Sequence, residues 1–248
     1  MPVTRDVVSD GALVIQQSES GYRFGLDAVL LATDLPQIPF EGSVVDLGAG
    51  TGVVGLMVAK RRADVRVKAL EVQPTLFDLL VANIQENALD NQVSALKGDV
   101  RQHQLLLSSH WADLVLMNPP YYRIGQGRVS PNRERAAAHQ ELHGTLRDFI
   151  VAAQYALKPR GYLKLVIPPL RLQDLMLEIR KSDFSGQSVR FIHAKPQRNA
   201  YLMEWVLRRG GSGQLSVLPP LVLNDDDSSA FTREVRLRFA GAALPEQP

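Results

Sequence analysis

Residues 44–60 impose a local architecture that few folds can hold. Val44-Val45-Asp46-Leu47 is a short buried-type strand, Gly48-Ala49-Gly50-Thr51-Gly52 is a glycine-rich turn, and Val53-Val54-Gly55-Leu56-Met57-Val58-Ala59-Lys60 has helical character. Glycine lets a backbone turn sharply and approach a ligand closely. A strand that feeds a helix through such a turn is the opening unit of an α/β sheet.

The rest of the chain continues the alternation. Residues 65–71 alternate and end on Glu71, Pro74 opens a helix reaching about residue 89, 93–97 gives a third strand ending near Asp99, and 112–117 a fourth. After a long polar loop, 146–157 reads as a helix stopped by Pro159, 161–167 as a strand and 170–181 as a helix. Residues 188–193 and 201–207 read as two strands with no helix between them. This order predicts an α/β fold with a seven-stranded, mostly parallel, doubly wound sheet and right-handed crossovers, whose last strand is antiparallel. The expected organisation is an N-terminal extension over 1–41, one domain over 42–240 and a frayed tail over 241–248.

Two cofactor classes fit the glycine turn. Gly50-Thr51-Gly52-Val53-Val54-Gly55 matches G-x-G-x-x-G, with Glu71 about 20 residues on, as in a dinucleotide fold. Asp46, however, precedes the first glycine, where it would repel a pyrophosphate and favour a cation. S-adenosylmethionine carries an ammonium and a sulfonium and no phosphate. Glu71 can accept both ribose hydroxyls of either cofactor, and Asp99 can accept from the adenine amino group. The expected cofactor residues in this stretch are therefore Asp46, Gly48, Gly50, Gly52, Glu71 and Asp99, gathered at the carboxyl edge of the sheet. The competing reading of the acids, above all Asp99, is that they cap helices.

Directly after Leu114-Val115-Leu116-Met117 stands Asn118-Pro119-Pro120-Tyr121. Two prolines fix two φ angles and supply no backbone N–H, so the turn is stiff and its carbonyls point outward. The Asn118 side-chain oxygen and a proline-turn carbonyl can accept both hydrogens of a planar amino group, while the Tyr121 ring stacks on its flat face. That arrangement pushes the nitrogen lone pair toward an electrophile. Asn118, Pro119 and Tyr121 are the expected catalytic set, with Asn118 also bordering the cofactor. An ordinary Pro-Pro turn after a strand is the alternative.

Composition narrows the classes. With 0 Cys there is no disulfide framework, thiolate metal site or cysteine nucleophile. The N-terminus has no apolar signal region and no run approaches a membrane span, so a cytoplasmic protein without a membrane partner is expected, and a monomer. Net charge is +2, yet residues 158–209 hold 11 Lys and Arg against 4 acids, which points to a polyanionic partner. The loop over 122–143 carries Tyr122, Arg123, Arg128, Arg133 and Arg135, placed to grip phosphates, and Gly125 and Gly127 predict mobility. His139-Gln140-Glu141-Leu142-His143 has its Glu one place late for H-E-x-x-H, so no metal is expected.

With the glycine turn, an acid after each of the first three strands and Asn-Pro-Pro-Tyr after the fourth, the chain resembles a Rossmann-like class I S-adenosylmethionine-dependent methyltransferase of the amino-group-modifying kind. More narrowly it is similar to the bacterial tRNA1(Val) adenine-N6 methyltransferase family, which methylates an adenine beside the anticodon. The similarity extends to Gly21-Tyr22-Arg23-Phe24-Gly25-Leu26-Asp27-Ala28, to Asn87, and to the segment from Pro219 to Glu234; Tyr122 stands where Phe is more often expected, and Phe231 where Tyr is common. The resemblance implies S-adenosylmethionine as cofactor and tRNA as partner. It also implies that residues 22–28 close over the methionine end of the cofactor, with Arg23, Phe24 and Asp27 as contacts. Methylation of a protein glutamine, of rRNA or of DNA remains an alternative, as does a catalytically idle RNA-binding module. Against the glutamine enzymes, only residues 1–41 precede the first core strand here, too few for their N-terminal helical domain.

Overall fold

The computed structural model describes residues 2–8, 12–21, 23–122, 141–225 and 230–240. An N-terminal hairpin, β1 (Val3–Val8) and β2 (Leu13–Ser18), is followed by α1 (Leu26–Leu31). The core then runs β3 (Ser43–Leu47), α2 (Val53–Arg61), β4 (Arg66–Glu71), α3 (Pro74–Glu86), β5 (Val93–Lys97), α4 (His103–Leu106) and β6 (Ala112–Met117). It continues with α5 (Leu146–Ala156), β7 (Leu157–Ile167), α6 (Leu172–Arg180), β8 (Phe184–His193), β9 (Ala200–Arg209), the short β10 (Ser216–Val217) and β11 (Leu221–Val222), and α7 (Arg233–Ala240).

Seven long strands take the order β5-β4-β3-β6-β7-β9-β8, and β10 and β11 pair with β8 at the edge. Only β9 opposes its neighbours; the other pairs are parallel. The strand order reverses between β3 and β6, the switch point beside which α/β sheets bind ligands. Alternation along the strands explains why both faces are covered. Leu114 and Leu116 of β6 join the core under α1, α2 and α3, whereas Val115 and Met117 join the core under α5 and α6.

Local chemistry sets the helix starts. Pro74 occupies the first turn of α3, where its missing N–H costs nothing, and Thr145 and Asp148 form a reciprocal capping box at α5. Strands β8 and β9 are longer than their apolar runs. The added residues of β8 include Ser185, Gly186 and Gln187, where a register shift breaks the alternation that marks a strand in sequence.

The hairpin is fastened to α3 by two amides. Asn83 Oδ1 accepts from Gln16 N (2.7 Å) and its Nδ2 donates to Gln16 O (3.0 Å), while Asn87 repeats the pattern on Val14 N (2.9 Å) and Val14 O (2.8 Å). Asn83 Nδ2 also donates to Thr51 O in the glycine turn (2.9 Å). The opposite side of the N-terminal segment rests on a buried cation. Lys164 of β7, fully buried, donates to the carbonyls of Leu30 (3.1 Å), Thr33 and Asp34 (3.2 Å) at the end of α1 and pairs with Glu204 of β9 at 2.5 Å. Burial lowers the Lys164 pKa, opposed by the Glu204 carboxylate.

Candidate active site

The carboxyl ends of β3, β4 and β6 open on a cleft of about 860 Å³, solvent at its mouth included. Its floor is the glycine turn, where Gly48, Gly50 and Gly52 have φ of 72°, 59° and 88°, a region that other residues enter at a cost. At Gly52 space matters as well, because a Cβ there would lie 2.4 Å from the Leu80 side chain. The N–H groups of Gly48 and Ala49 both bond Leu70 O (2.9 Å each), which pins the turn to the end of β4. Asp46, Gly48, Gly50, Glu71 and Asn118 all line the cleft.

Two acids are buried at its base. Asp46 accepts from Gly55 N (3.0 Å), and Glu71 accepts from Gly50 N (2.8 Å) and Gln73 N (2.8 Å). Burial pushes the Asp46 carboxyl up to about 7; the Gly55 N–H favours its ionised form, and the Glu71 carboxylate adds to the rise. Two buried acids at a cleft base, of which Asp46 gains from a cation the partner that favours its ionised form, suit a cationic, phosphate-free ligand better than a pyrophosphate. S-adenosylmethionine therefore fits these residues.

Asn118 stands at the end of β6 with its amide in a fixed orientation. Nδ2 donates to Asp27 Oδ2 (2.7 Å), and the Tyr121 hydroxyl donates to the same oxygen (2.8 Å). Asn118 Oδ1 is buried and has no hydrogen-bond partner among the described residues. Of the carbonyls in the proline turn, those of Pro120 and Tyr121 accept from Arg171 Nη1 at 3.3 and 3.4 Å, and that of Pro119 has no donor among the described residues. Arg171 is buried; it pairs also with Glu141 (2.7 Å) and Asp174 (2.8 Å), tying the turn to the residues that follow 123–140. Asn118 Oδ1 and Pro119 O are thus two acceptors with no donor among the described residues, on a turn whose Tyr121 hydroxyl is held by Asp27.

Several expected contacts lie elsewhere. Arg23 pairs with Asp6 of the hairpin (2.8 Å) and donates to Thr4 Oγ1 (2.5 Å), and Phe24 packs against the core with its N–H on Gln17 Oε1 (2.8 Å); neither lines the cleft, to which this segment contributes Ala28. Asp99 caps the turn after β5 through Arg101 N (2.9 Å) and pairs with the Arg101 guanidinium (2.5 Å), so its acceptors face Arg101 while Gly98 and Val100 line the cleft. Tyr122 O accepts from Glu141 N (3.1 Å). Arg123, Arg128, Arg133 and Arg135 lie outside the described residues, as does the tail 241–248.

The basic half is partly balanced from within. Lys158, Lys164, Arg171, Lys181, Arg190 and Arg209 pair with Asp113, Glu204, Glu141, Glu178, Glu234 and Asp183, and three of those acids come from outside 158–209. Residues without a motif also enter the site. His143 and Phe149 wall the cleft, and Tyr201, 42% exposed, lies close enough to Asp27 that its hydroxyl, pushed up to about 12 mainly by burial, is raised further by that carboxylate. Strand alternation and strand-end acids carry no signal for such residues.

Comparison with known proteins agrees with this geometry. The profile of the methyltransferase small domain family matches residues 22–182. A tRNA1(Val) (adenine(37)-N6)-methyltransferase of Porphyromonas gingivalis is 32% identical over 178 residues, 69% of each chain, and one of Aeromonas salmonicida is 24% identical over 197 residues, 79% of this chain and 80% of that one. Among solved structures, a predicted O-methyltransferase, protein Atu636 from Agrobacterium tumefaciens, superposes with a TM-score of 0.72 at 25% identity over 88% of this chain and 98% of that one. M. jannaschii TYW2 in complex with AdoMet shares the fold at a TM-score of 0.54 and 18% identity, over 84% of this chain and 86% of that one. The chain belongs to the methyltransferase small domain family and, within it, to the tRNA1(Val) adenine-N6 methyltransferases.

Proposed function

We propose that this protein binds S-adenosylmethionine in the glycine-turn cleft and methylates the exocyclic N6 of an adenine in a tRNA anticodon loop, at the position called 37 in its relatives. The observation that carries the reading is Asn118 Oδ1, a buried acceptor with no partner among the described residues, where the cleft meets the proline turn. The bound cofactor supplies a sulfonium methyl group as electrophile. Asp46 and Glu71 would hold its cationic and ribose portions, and residues 1–41, which reach the cleft at Ala28, would cover it. Asn118 Oδ1 and Pro119 O accept the two N6 hydrogens, which draws the nitrogen lone pair out of conjugation and aims it into the cleft. The Tyr121 ring holds the base after it leaves its stack. The protein accelerates transfer by holding the amine in line with its electrophile and away from water. Tyr122 and the arginines of 123–140 would hold the RNA backbone.

Tritiated methyl transfer from S-adenosylmethionine to separate tRNA, rRNA and protein pools, followed by nucleoside analysis, tests this reading. N6-methyladenosine in tRNA is the expected product. Label confined to a protein glutamine would replace the substrate, since the same two acceptors fit a carboxamide.

A further inference from the structure

We propose that Asp27 is the positioning residue of the amine site, setting both the orientation of the Asn118 amide and the seat of the Tyr121 ring; the proposal rests on the amino-methyl-transfer reading above. An asparagine amide is nearly symmetric in shape, so its partners decide which end faces a ligand. A carboxylate only accepts hydrogen bonds, and Asp27 Oδ2 therefore faces the NH2 end of Asn118 at 2.7 Å. Oδ1 is left as the buried acceptor, with no partner among the described residues. Reversing the amide would set two oxygens against each other. The same Asp27 oxygen takes the Tyr121 hydroxyl at 2.8 Å, so one atom fixes the acceptor and the stacking ring together.

Two further observations separate this role from cofactor contact. Ala28 lines the cleft and Asp27 does not. Gly25 stands at the start of α1 with φ −114°, which any residue adopts, yet a Cβ there would lie 2.8 Å from Asp27 Oδ1. Glycine at 25 thus keeps room for this carboxylate, and Gly25→Ala should rotate Asp27 without removing it.

Asp27→Ala is expected to lower kcat on the order of 10²-fold, the scale of a misplaced reacting group, with S-adenosylmethionine Kd within about threefold of wild type. Asp27→Asn should recover most of kcat, because its amide oxygen can still accept from both donors, and Gly25→Ala should lower kcat in the direction of Asp27→Ala. Wild-type kcat in Asp27→Ala, or an equal loss in cofactor affinity, would overturn the proposal. The Asn118 side-chain NH2 resonances of the free protein, identified by their absence in Asn118→Ala, provide a readout that needs no substrate. They should move in Asp27→Ala and Gly25→Ala, and unmoved resonances would overturn the proposal. If the wild-type protein transfers no methyl group to tRNA, the substrate reading fails while the resonances still decide the role of Asp27.

Discussion

Asp46 is the residue whose chemistry most depends on what fills the cleft. Its carboxyl titrates near 7 in the folded chain against 3.8 in a free aspartate, so between those values the folded state holds a proton that the unfolded state has lost. Its contribution to stability is therefore fully present below about pH 4 and is lost as pH rises through 7, on the order of 4 kcal/mol over the window. Urea unfolding of wild type and Asp46→Asn at pH 5 and pH 8 checks this. The wild type should lose stability relative to the variant as pH rises, and an unchanged difference would show that Asp46 ionises normally. A cationic ligand favours the carboxylate, so S-adenosylmethionine should bind more tightly at pH 8 than at pH 6, and Asp46→Asn should flatten that dependence. At Asn118 the lost interaction belongs to the transition state. Asn118→Ala should cost about 10²–10³ in kcat with cofactor Kd within about threefold, measured by single-turnover transfer and calorimetry. Asp46, Glu71 and Asn118 were legible because each ends a strand beside a turn signal. Asp27 entered the sequence reading only as a cofactor contact implied by resemblance; its hydrogen bond to Asn118 was not legible, since the two are 91 residues apart and the contact depends on how α1 docks.

At the scale of elements, α1 carries Asp27 and is held at its other end by Lys164. In sequence Lys164 counts as one more cation of the basic half. It is buried instead because a doubly wound sheet is covered on both faces, so the polar side of Leu163-Lys164-Leu165 has no solvent to meet. Replacing one partner of a buried pair leaves the rest uncompensated, and Lys164→Met strips the donor from three carbonyls at the end of α1. A loss of about 3–5 kcal/mol is expected in denaturant unfolding. A loss under about 1 kcal/mol would mean that the Arg238 pairing with Glu204, at 3.3 Å, suffices. The helix-and-strand order was readable from periodicity because each long element buries a face. The ends of β8 and the short β10 and β11 were not readable, since they sit at a sheet edge where half-polar strands lose the alternation, and the ends of β9 lie outside its apolar run, where they pair with those of β8.

For the whole molecule the question is where a polyanion sits, and internal pairing removes much of the apparent basic half from contention. The turn over 194–199 joins β8 to β9 at the same edge of the sheet as the cleft, and its Lys195 and Arg198 are exposed. Three strand spacings separate β8 from β6, about 14 Å at the usual inter-strand distance, so a chain whose base reaches Asn118 can lay its backbone across this turn. Tyr201 lies between the two. RNA affinity should fall steeply with salt, and Lys195→Ala with Arg198→Ala should weaken tRNA binding and reduce the slope of log K against log salt by about 1 for each phosphate contact removed. S-adenosylmethionine affinity should be unaffected, because neither residue lines the cleft. Filter binding of tRNA at several salt concentrations reads both quantities. An unchanged slope in the double variant would assign the phosphate contacts to other cations, with Arg128→Ala and Arg133→Ala as the next pair to measure, whereas a salt-independent affinity would remove RNA as the substrate and favour a glutamine-bearing protein in the same two-acceptor pocket.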